Sequence, residues 1–186
     1  KAVRAMGTNS IDNAARICHA PSTVALKQTL GVGATTCTYA DWIGTDLLVF
    51  IGANPANNQP VTTKYMHHAK KAGTRIVLVN PYREPGMERY WIPSIGESAL
   101  FGTKLADETF LVTQGGDVAF LSGAIKHILE RDLVDHAFIE QHTNGFADVA
   151  AHVAEWTPQK TAQVTGISEN AIRQAAEIWG TAKTSF

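Results

Sequence analysis

Cysteine is scarce in this sequence, and long apolar runs are absent. Two cysteines, Cys18 and Cys37, among 186 residues are too few for a secreted disulfide framework. At most one bridge can form, and we favour a reduced, cytoplasmic protein. The longest apolar run, 47–51, is far shorter than the roughly 18 residues of a membrane span. A membrane segment is therefore not expected, and no signal-peptide pattern opens the chain.

An excess of charge of either sign is also missing. The sequence has 16 Lys and Arg against 17 Asp and Glu, a formal net charge of −1, without a basic run. This balance gives no support for binding to nucleic acid or to an anionic membrane. What remains is an ordinary globular composition, 45% hydrophobic and 18% charged, with enough residues to bury a good core.

Several sequence fingerprints do not occur. There is no G-x-G-x-x-G after the first predicted strand and no G-x-x-x-x-G-K-S/T, which disfavours a dinucleotide-fingerprint enzyme and a P-loop enzyme. Neither C-x-x-C nor H-E-x-x-H is present, so the seven histidines and two cysteines do not predict a zinc site.

Continuous apolar runs predict the fold. Runs at 45–52 and 74–79 are typical of buried parallel strands, and a shorter strand is expected at 109–112. A helix at 61–72 between the first two completes a βαβ unit. We expect further helices at 22–30, 117–131, 135–143, 145–155, 158–164 and 168–182, with mostly loop at 53–60 and 81–106. Asp117 and Ser168 are the expected N-caps of the helices that begin there.

The prediction is a doubly wound α/β fold with a mostly parallel, Rossmann-like sheet and a helical C-terminal third, forming a single domain over 1–186. The sequence begins without Met, and its last residues, 183–186, follow a long predicted helix at a point where another strand is expected. We therefore expect an internal piece of a larger polypeptide.

Polar residues follow each predicted strand. They are Gly52, Asn54, Asn57 and Asn58 after the first, Asn80 and Arg83 after the second, and Gly115 and Asp117 after the third. Ligands of parallel sheets bind beyond the carboxyl ends of the strands, where a glycine lets backbone approach phosphate and Asn, Arg and Asp can bind a nucleotide. Ordinary turns use the same residue types, but three such loops at one edge favour a nucleotide site.

Cys18 and His19 are the candidate reactive residues. A thiol beside an imidazole combines a soft metal ligand or nucleophile with a proton carrier that titrates near neutral pH. The following Pro21-Ser22 predicts a loop at a helix start, with Ser22 as the N-cap, where a thiolate is favoured. The alternative for Cys18 is a buried small apolar residue without chemistry.

Three segments in this order resemble the molybdopterin oxidoreductase superfamily, and within it the formate dehydrogenase alpha subunits and their formate-dehydrogenase-like relatives. The segments are Asn9-Ser-Ile-Asp-Asn-Ala-Ala-Arg-Ile-Cys-His-Ala-Pro-Ser22, Leu47-Leu-Val-Phe-Ile-Gly-Ala-Asn-Pro55 and Val79-Asn-Pro-Tyr-Arg-Glu-Pro-Gly86. The resemblance extends over nearly the whole chain. One departure is Asn80-Pro-Tyr-Arg83, where many relatives have Asp-Pro-Arg.

The resemblance implies a cofactor and its ligands. Cys18 would bind molybdenum or tungsten, which is otherwise held by the dithiolenes of two pterin guanine dinucleotides (bis-molybdopterin guanine dinucleotide). His19 would handle the proton. Gly52, Asn54, Asn57 and Asn58 would lie along the phosphates and ribose of one guanine dinucleotide, and Asn80, Arg83, Gly115 and Asp117 near its guanine.

The function implied is two-electron oxidation of formate or a similar small substrate, with an electron-transfer partner and a 4Fe-4S cluster in a preceding segment. Alone, such a piece is expected to be inactive. One alternative is another reductase of the superfamily, and a second is a noncatalytic nucleotide-binding module. A conventional NAD-binding domain ranks lower, because Asn80 stands where that domain needs an acidic residue.

Overall fold

The structure is a computed structural model that describes residues 1–186. The chain divides into two compact units, Lys1–Thr38 and Tyr39–Phe186, which we describe separately. The single-domain organisation stays a prediction. No helix in either unit has both the length and the apolar character needed to cross a bilayer.

The first unit contains three helices: α1 (Ala2–Ala5), α2 (Ala15–Cys18) and α3 (Ala20–Leu30). The predicted start of α3 was wrong by two residues. The chain is already helical at Ala20, Pro21 lies in the first turn, and His19 occupies the N-cap position. Ser22 is therefore inside the helix and does not cap it, because the fixed φ of proline suits the first helical positions.

The second unit alternates strands and helices before ending in a helical region. After a 3₁₀ helix (Tyr39–Trp42), its elements are β1 (Leu47–Ile51), α4 (Pro55–Asn58), α5 (Thr62–Lys71), β2 (Arg75–Asn80), α6 (Pro85–Glu88), α7 (Gly96–Phe101), β3 (Glu108–Leu111), α8 (Asp117–Glu130), α9 (His136–His142), α10 (Phe146–Val153), α11 (Pro158–Thr165) and α12 (Glu169–Thr181).

The sheet is parallel throughout, with the strand order β1-β2-β3. The C-terminal residues extend it beyond β1. Val49 N–H donates to the carbonyl of Phe186 at 2.7 Å, Phe186 N–H donates to the carbonyl of Leu47 at 3.0 Å, and Ser185 forms a parallel bridge with Leu47. The strand expected at the end of the sequence is thus present as a short pairing segment.

Two apolar clusters cover the two faces of the sheet. Leu48, Ile76 and Leu78 point into one cluster, and Leu47, Val77 and Val79 point into the other. The first cluster includes Met66 of α5 and Met87 of α6, whereas the second includes Phe120 of α8 and Ala175 of α12. Helices therefore pack on both faces, which confirms the doubly wound α/β fold, and each large apolar side chain buried in this way contributes about 1.5–3 kcal/mol.

Residues 81–106 correct the expectation of a mostly irregular loop. They contain α6 and α7, and an antiparallel bridge joins Tyr90 to Thr103. Met87 and Leu105 are fully buried anchors, so this segment forms part of the packed layer. Its helices are too short to give a periodic apolar signal.

The helix caps of the C-terminal region follow the sequence more closely. Ser168 accepts a hydrogen bond from the backbone N–H of Ala171 and caps α12, as predicted. The predicted cap of α8 was one residue off. Gly116 is its N-cap and Asp117 its first residue, because the turn that ends β3 closes at Gly116.

Candidate functional site

A cleft of about 340 Å³ opens at the carboxyl ends of the three strands. Its walls come from the loops after β1, β2 and β3. The lining residues are Gly52, Ala53, Asn54, Asn80, Pro81, Glu84, Val112, Thr113, Gln114, Gly115 and Asp117. This volume lies within the roughly 300–1,000 Å³ of small-molecule sites. The structure therefore brings five predicted residues together: Gly52, Asn54, Asn80, Gly115 and Asp117.

Three predicted residues lie outside the lining. Asn57 and Asn58 are exposed on α4. The side chain of Asn54 caps this helix by accepting from Asn57 N–H at 3.3 Å, so the chain turns helical directly after Asn54. The guanidinium of Arg83 donates to Glu88 at 2.9 Å in an exposed ion pair. The sequence analysis predicted a loop at 53–60, where the structure has α4 (Pro55–Asn58), and it did not fix the direction of these side chains.

Gly52 makes the sharp turn at the end of β1. Its φ is +62°, a left-handed conformation that glycine adopts without strain. Its N–H donates to the carbonyl of Val79 at 2.9 Å, which extends the pairing between β1 and β2. A Cβ atom built on Gly52 would meet nothing within 4 Å, so its backbone is open to a ligand in the cleft.

The third wall is a tight turn that leads into α8. Gly116 N–H donates to the carbonyl of Thr113 at 2.8 Å, and Gly115 between them has φ +81°, as the third position of a type II turn requires. Asp117 then begins a helix of 14 residues. The positive end of this helix dipole and the carboxylate of Asp117 therefore share one side of the cleft.

Asn80 is the lining residue with a buried polar atom that lacks a hydrogen-bond partner. The residue is 4% exposed, and its Nδ2 donates to the carbonyl of Ala53 at 3.2 Å. Its Oδ1 is buried and has no hydrogen-bond partner. Because an unpaired buried acceptor costs about 1–3 kcal/mol, a ligand that donates an N–H or O–H here would remove an existing penalty.

Glu84 is the one charged lining residue that the site prediction missed. Its Oε2 accepts from Nδ2 of Asn54 at 2.7 Å, which joins the loop after β2 to the loop after β1. The only signal in the sequence was its position shortly after the end of β2. With Glu84 and Asp117 present, the cleft has two carboxylates and no Lys, Arg or His in its lining.

Cys18 and His19 belong to the first unit. Cys18 ends α2 and His19 links it to α3, and both residues are exposed. Cys18 and Cys37 are free thiols, so the bridge that the sequence allowed is not formed. No group of three or more His, Cys, Asp or Glu side chains is placed to hold a metal ion.

Comparison with known proteins defines the class. The profile of the molybdopterin oxidoreductase family matches residues 2–167, and the chain belongs to this family. Formate dehydrogenase H of Escherichia coli strain K12 is 31% identical over 180 residues, covering 97% of this chain and 23% of that protein. Protein YdeP of the same organism is 31% identical over 197 residues, covering 98% and 26%.

The structural comparison agrees with the fold. Acetylene hydratase from Pelobacter acetylenicus superposes with a TM-score of 0.74 at 24% identity, over 94% of this chain and 21% of that one. At this identity the likeness concerns the fold alone. The chain spans about a quarter of the length of the curated relatives that it matches.

Proposed function

We propose that this chain is the cofactor-binding part of a molybdenum- or tungsten-dependent oxidoreductase that oxidises formate or a similar small substrate by two electrons. The cofactor is bis-molybdopterin guanine dinucleotide. The observation that carries the proposal is the buried, unpartnered Oδ1 of Asn80 in a cleft that three strand-end loops build. Family membership supplies the cofactor class, and formate dehydrogenase H supports the substrate class.

The cleft residues suit the guanosine end of one dinucleotide. Oδ1 of Asn80 and the carboxylate of Asp117 accept hydrogen bonds, and guanine offers N–H donors on one edge. Gly52 and Gly115 present open backbone, since a Cβ on either residue would meet nothing within 4 Å. The proposal assigns no contact to Asn57, Asn58 or Arg83, which do not line the cleft.

Cys18 and His19 supply the reactive side chains. The thiolate of Cys18 is a soft ligand of the kind that a molybdenum or tungsten centre takes. When bound, the metal centre accepts the two electrons of the substrate. Oxidation of formate to carbon dioxide also releases one proton, which the imidazole of His19 would take up and pass to solvent. Both side chains are exposed in their unit, so a substrate and a proton acceptor can reach them.

The remaining parts of the proposal concern the whole protein. A 4Fe-4S cluster in a preceding segment and an electron-transfer partner would carry electrons away from the metal, and the protein would act in the cytoplasm. The resemblance to the formate dehydrogenases is what supports these elements of the proposal, and the cofactor would supply the redox chemistry.

Metal analysis tests the proposal. Molybdenum and tungsten are measured by mass spectrometry in the full-length protein and in its Cys18→Ser and Cys37→Ser variants, with X-ray absorption at the metal edge. We expect metal in the wild type and in Cys37→Ser with identical spectra. In Cys18→Ser the metal should have one sulfur ligand fewer, and the variant should no longer oxidise formate. A well-folded protein without either metal would contradict the proposal and favour a noncatalytic nucleotide-binding module.

A further inference from the structure

The side chain of Glu84 contacts the loop after β1 and not the helix that follows it. It is the N-cap residue of α6, yet its side chain does not cap that helix. The carboxylate instead turns across to the loop after β1, where Oε2 accepts from Nδ2 of Asn54 at 2.7 Å. A hydrogen bond from an amide to a carboxylate is stronger than one between two neutral groups. This bond therefore connects the two walls of the cleft.

The backbone around Glu84 is held against the same loop. A Cβ on Gly86 would lie 2.8 Å from Cβ of Ala56 and 3.3 Å from Oδ1 of Asn57, so the two loops approach as closely as glycine allows. Met87 is fully buried and anchors the segment in the core. Glu84 is therefore presented by a rigid support, which is what a precise binding residue needs.

The hydrogen bonds also fix the orientation of Asn54. Its Oδ1 accepts from the backbone N–H of Asn57, and one of its two amide hydrogens is used by Glu84. Glu84 in turn uses Oε2 in this bond, and its Oε1 has no hydrogen bond within the protein. Without Glu84 the amide of Asn54 would lose the partner that sets its rotamer.

The chemistry of the lining indicates which part of a ligand faces Glu84. The side-chain acceptors in the cleft include the unpartnered Oδ1 of Asn80 and the carboxylates of Glu84 and Asp117, and no cationic side chain accompanies them. A phosphate in contact with these carboxylates would be repelled, whereas hydroxyl and N–H donors would be bound.

In dinucleotide-binding sheets an acidic residue after the second strand accepts the ribose hydroxyls. Here the strand ends in the neutral Asn80, and Glu84 is the nearest carboxylate on that loop.

We propose that Glu84 is a positioning and specificity residue of the cleft, which orients Asn54 and accepts hydrogen bonds from the ribose hydroxyls of the bound guanosine. This inference rests on the proposed function and adds to it the residue that selects a ribonucleoside. The acceptors contributed by Asn80 and Asp117 remain for the base.

The test uses the cofactor-free, full-length protein and guanosine diphosphate as the probe. Calorimetry compares the affinity of the protein for guanosine diphosphate with its affinity for the analogue that lacks both ribose hydroxyls. Loss of a hydrogen bond to a charged group weakens binding by about tenfold or more, so the wild type should prefer the ribonucleotide by at least that factor. Glu84→Gln should bind the ribonucleotide about tenfold more weakly and lose most of the preference.

Two further variants separate a specific role from a structural one. Glu88→Gln removes the same charge from the exposed pair with Arg83, outside the cleft, and should keep both affinities. Asn54→Ala should weaken binding, and in that background Glu84→Gln should have a smaller effect. The ratio of the two affinities is the decisive quantity, because a general loss of folding would lower both affinities together.

The outcomes are distinguishable. If the wild type binds the two nucleotides equally, or if Glu84→Gln keeps the full preference, the role of Glu84 is refuted while the proposed function stands. If the wild type binds neither nucleotide, the cleft is not the guanosine site and both proposals fail. If the Glu84→Gln variant does not fold, equal binding of the two nucleotides by the wild type still refutes the role of Glu84.

Discussion

Replacing Asn80 with leucine should stabilise the cofactor-free protein and impair its cleft. The substitution removes the buried, unpartnered Oδ1, whose burial costs about 1–3 kcal/mol. It also removes the hydrogen bond from Nδ2 to the carbonyl of Ala53, worth about 0.5–1.5 kcal/mol net. Ala53 is half-buried, so water can replace the lost donor. Because the penalty removed at Oδ1 is larger than the contribution of the lost hydrogen bond, the free energy of unfolding should increase by about 1 kcal/mol.

Urea or thermal unfolding of the cofactor-free protein measures this change. An increase of about 1 kcal/mol corresponds to about 2–4 °C in Tm for a protein of this size. Thr161→Val is the matched control, since Oγ1 of Thr161 is also buried without a partner but lies outside the cleft lining. It should stabilise by a similar amount and leave nucleotide affinity unchanged. If Asn80→Leu instead destabilised the protein by about 1 kcal/mol or more, Oδ1 of Asn80 would not be an unmet acceptor.

Two other predictions concern the scaffold. Gly123→Ala, within α8, should destabilise by about 1–3 kcal/mol despite the higher helix propensity of alanine, because its Cβ would lie 2.5 Å from Oγ1 of Thr161. Adding Thr161→Ala should restore much of the loss in a denaturant titration, and no rescue would refute the clash. Burial lowers the pKa of His67 below its usual 6.5, so the unfolded chain binds more protons near pH 6 and the free energy of unfolding should fall as pH drops below about 6.5. His67→Gln should flatten that fall, and the exposed His142→Gln should not; equal slopes in both variants would contradict this origin.

The sequence predicted the parts of the fold that depend on local pattern. Continuous apolar runs indicated β1 and β2 within one or two residues, and Ser168 indicated the start of α12. The short helices α6 and α7 escaped detection because their stability comes from buried anchors such as Met87, and such packing leaves no periodic signal.

The candidate site could be predicted only in part, because contacts between side chains that are distant in sequence leave no local pattern. Parallel strands place their carboxyl ends at one edge, so the loops containing Gly52, Asn80 and Asp117 could be brought together from the sequence alone. The role of Glu84 depends on Asn54, which lies 30 residues earlier, and no local rule reveals such a contact. The exposed positions of Asn57 and Arg83 likewise follow from α4 and from the pair with Glu88, which only the three-dimensional structure defines.

The most direct test of the central claim is a joint determination of metal and guanine nucleotide in the purified full-length protein. Acid hydrolysis releases guanosine monophosphate from the cofactor for chromatography, and mass spectrometry counts molybdenum and tungsten in the same sample. The account predicts stoichiometric metal with guanosine monophosphate in twofold molar excess over it. It also predicts that both decline in the Asn80→Leu variant while the fold persists. Stoichiometric metal without guanine nucleotide would contradict the assignment of the strand-end cleft.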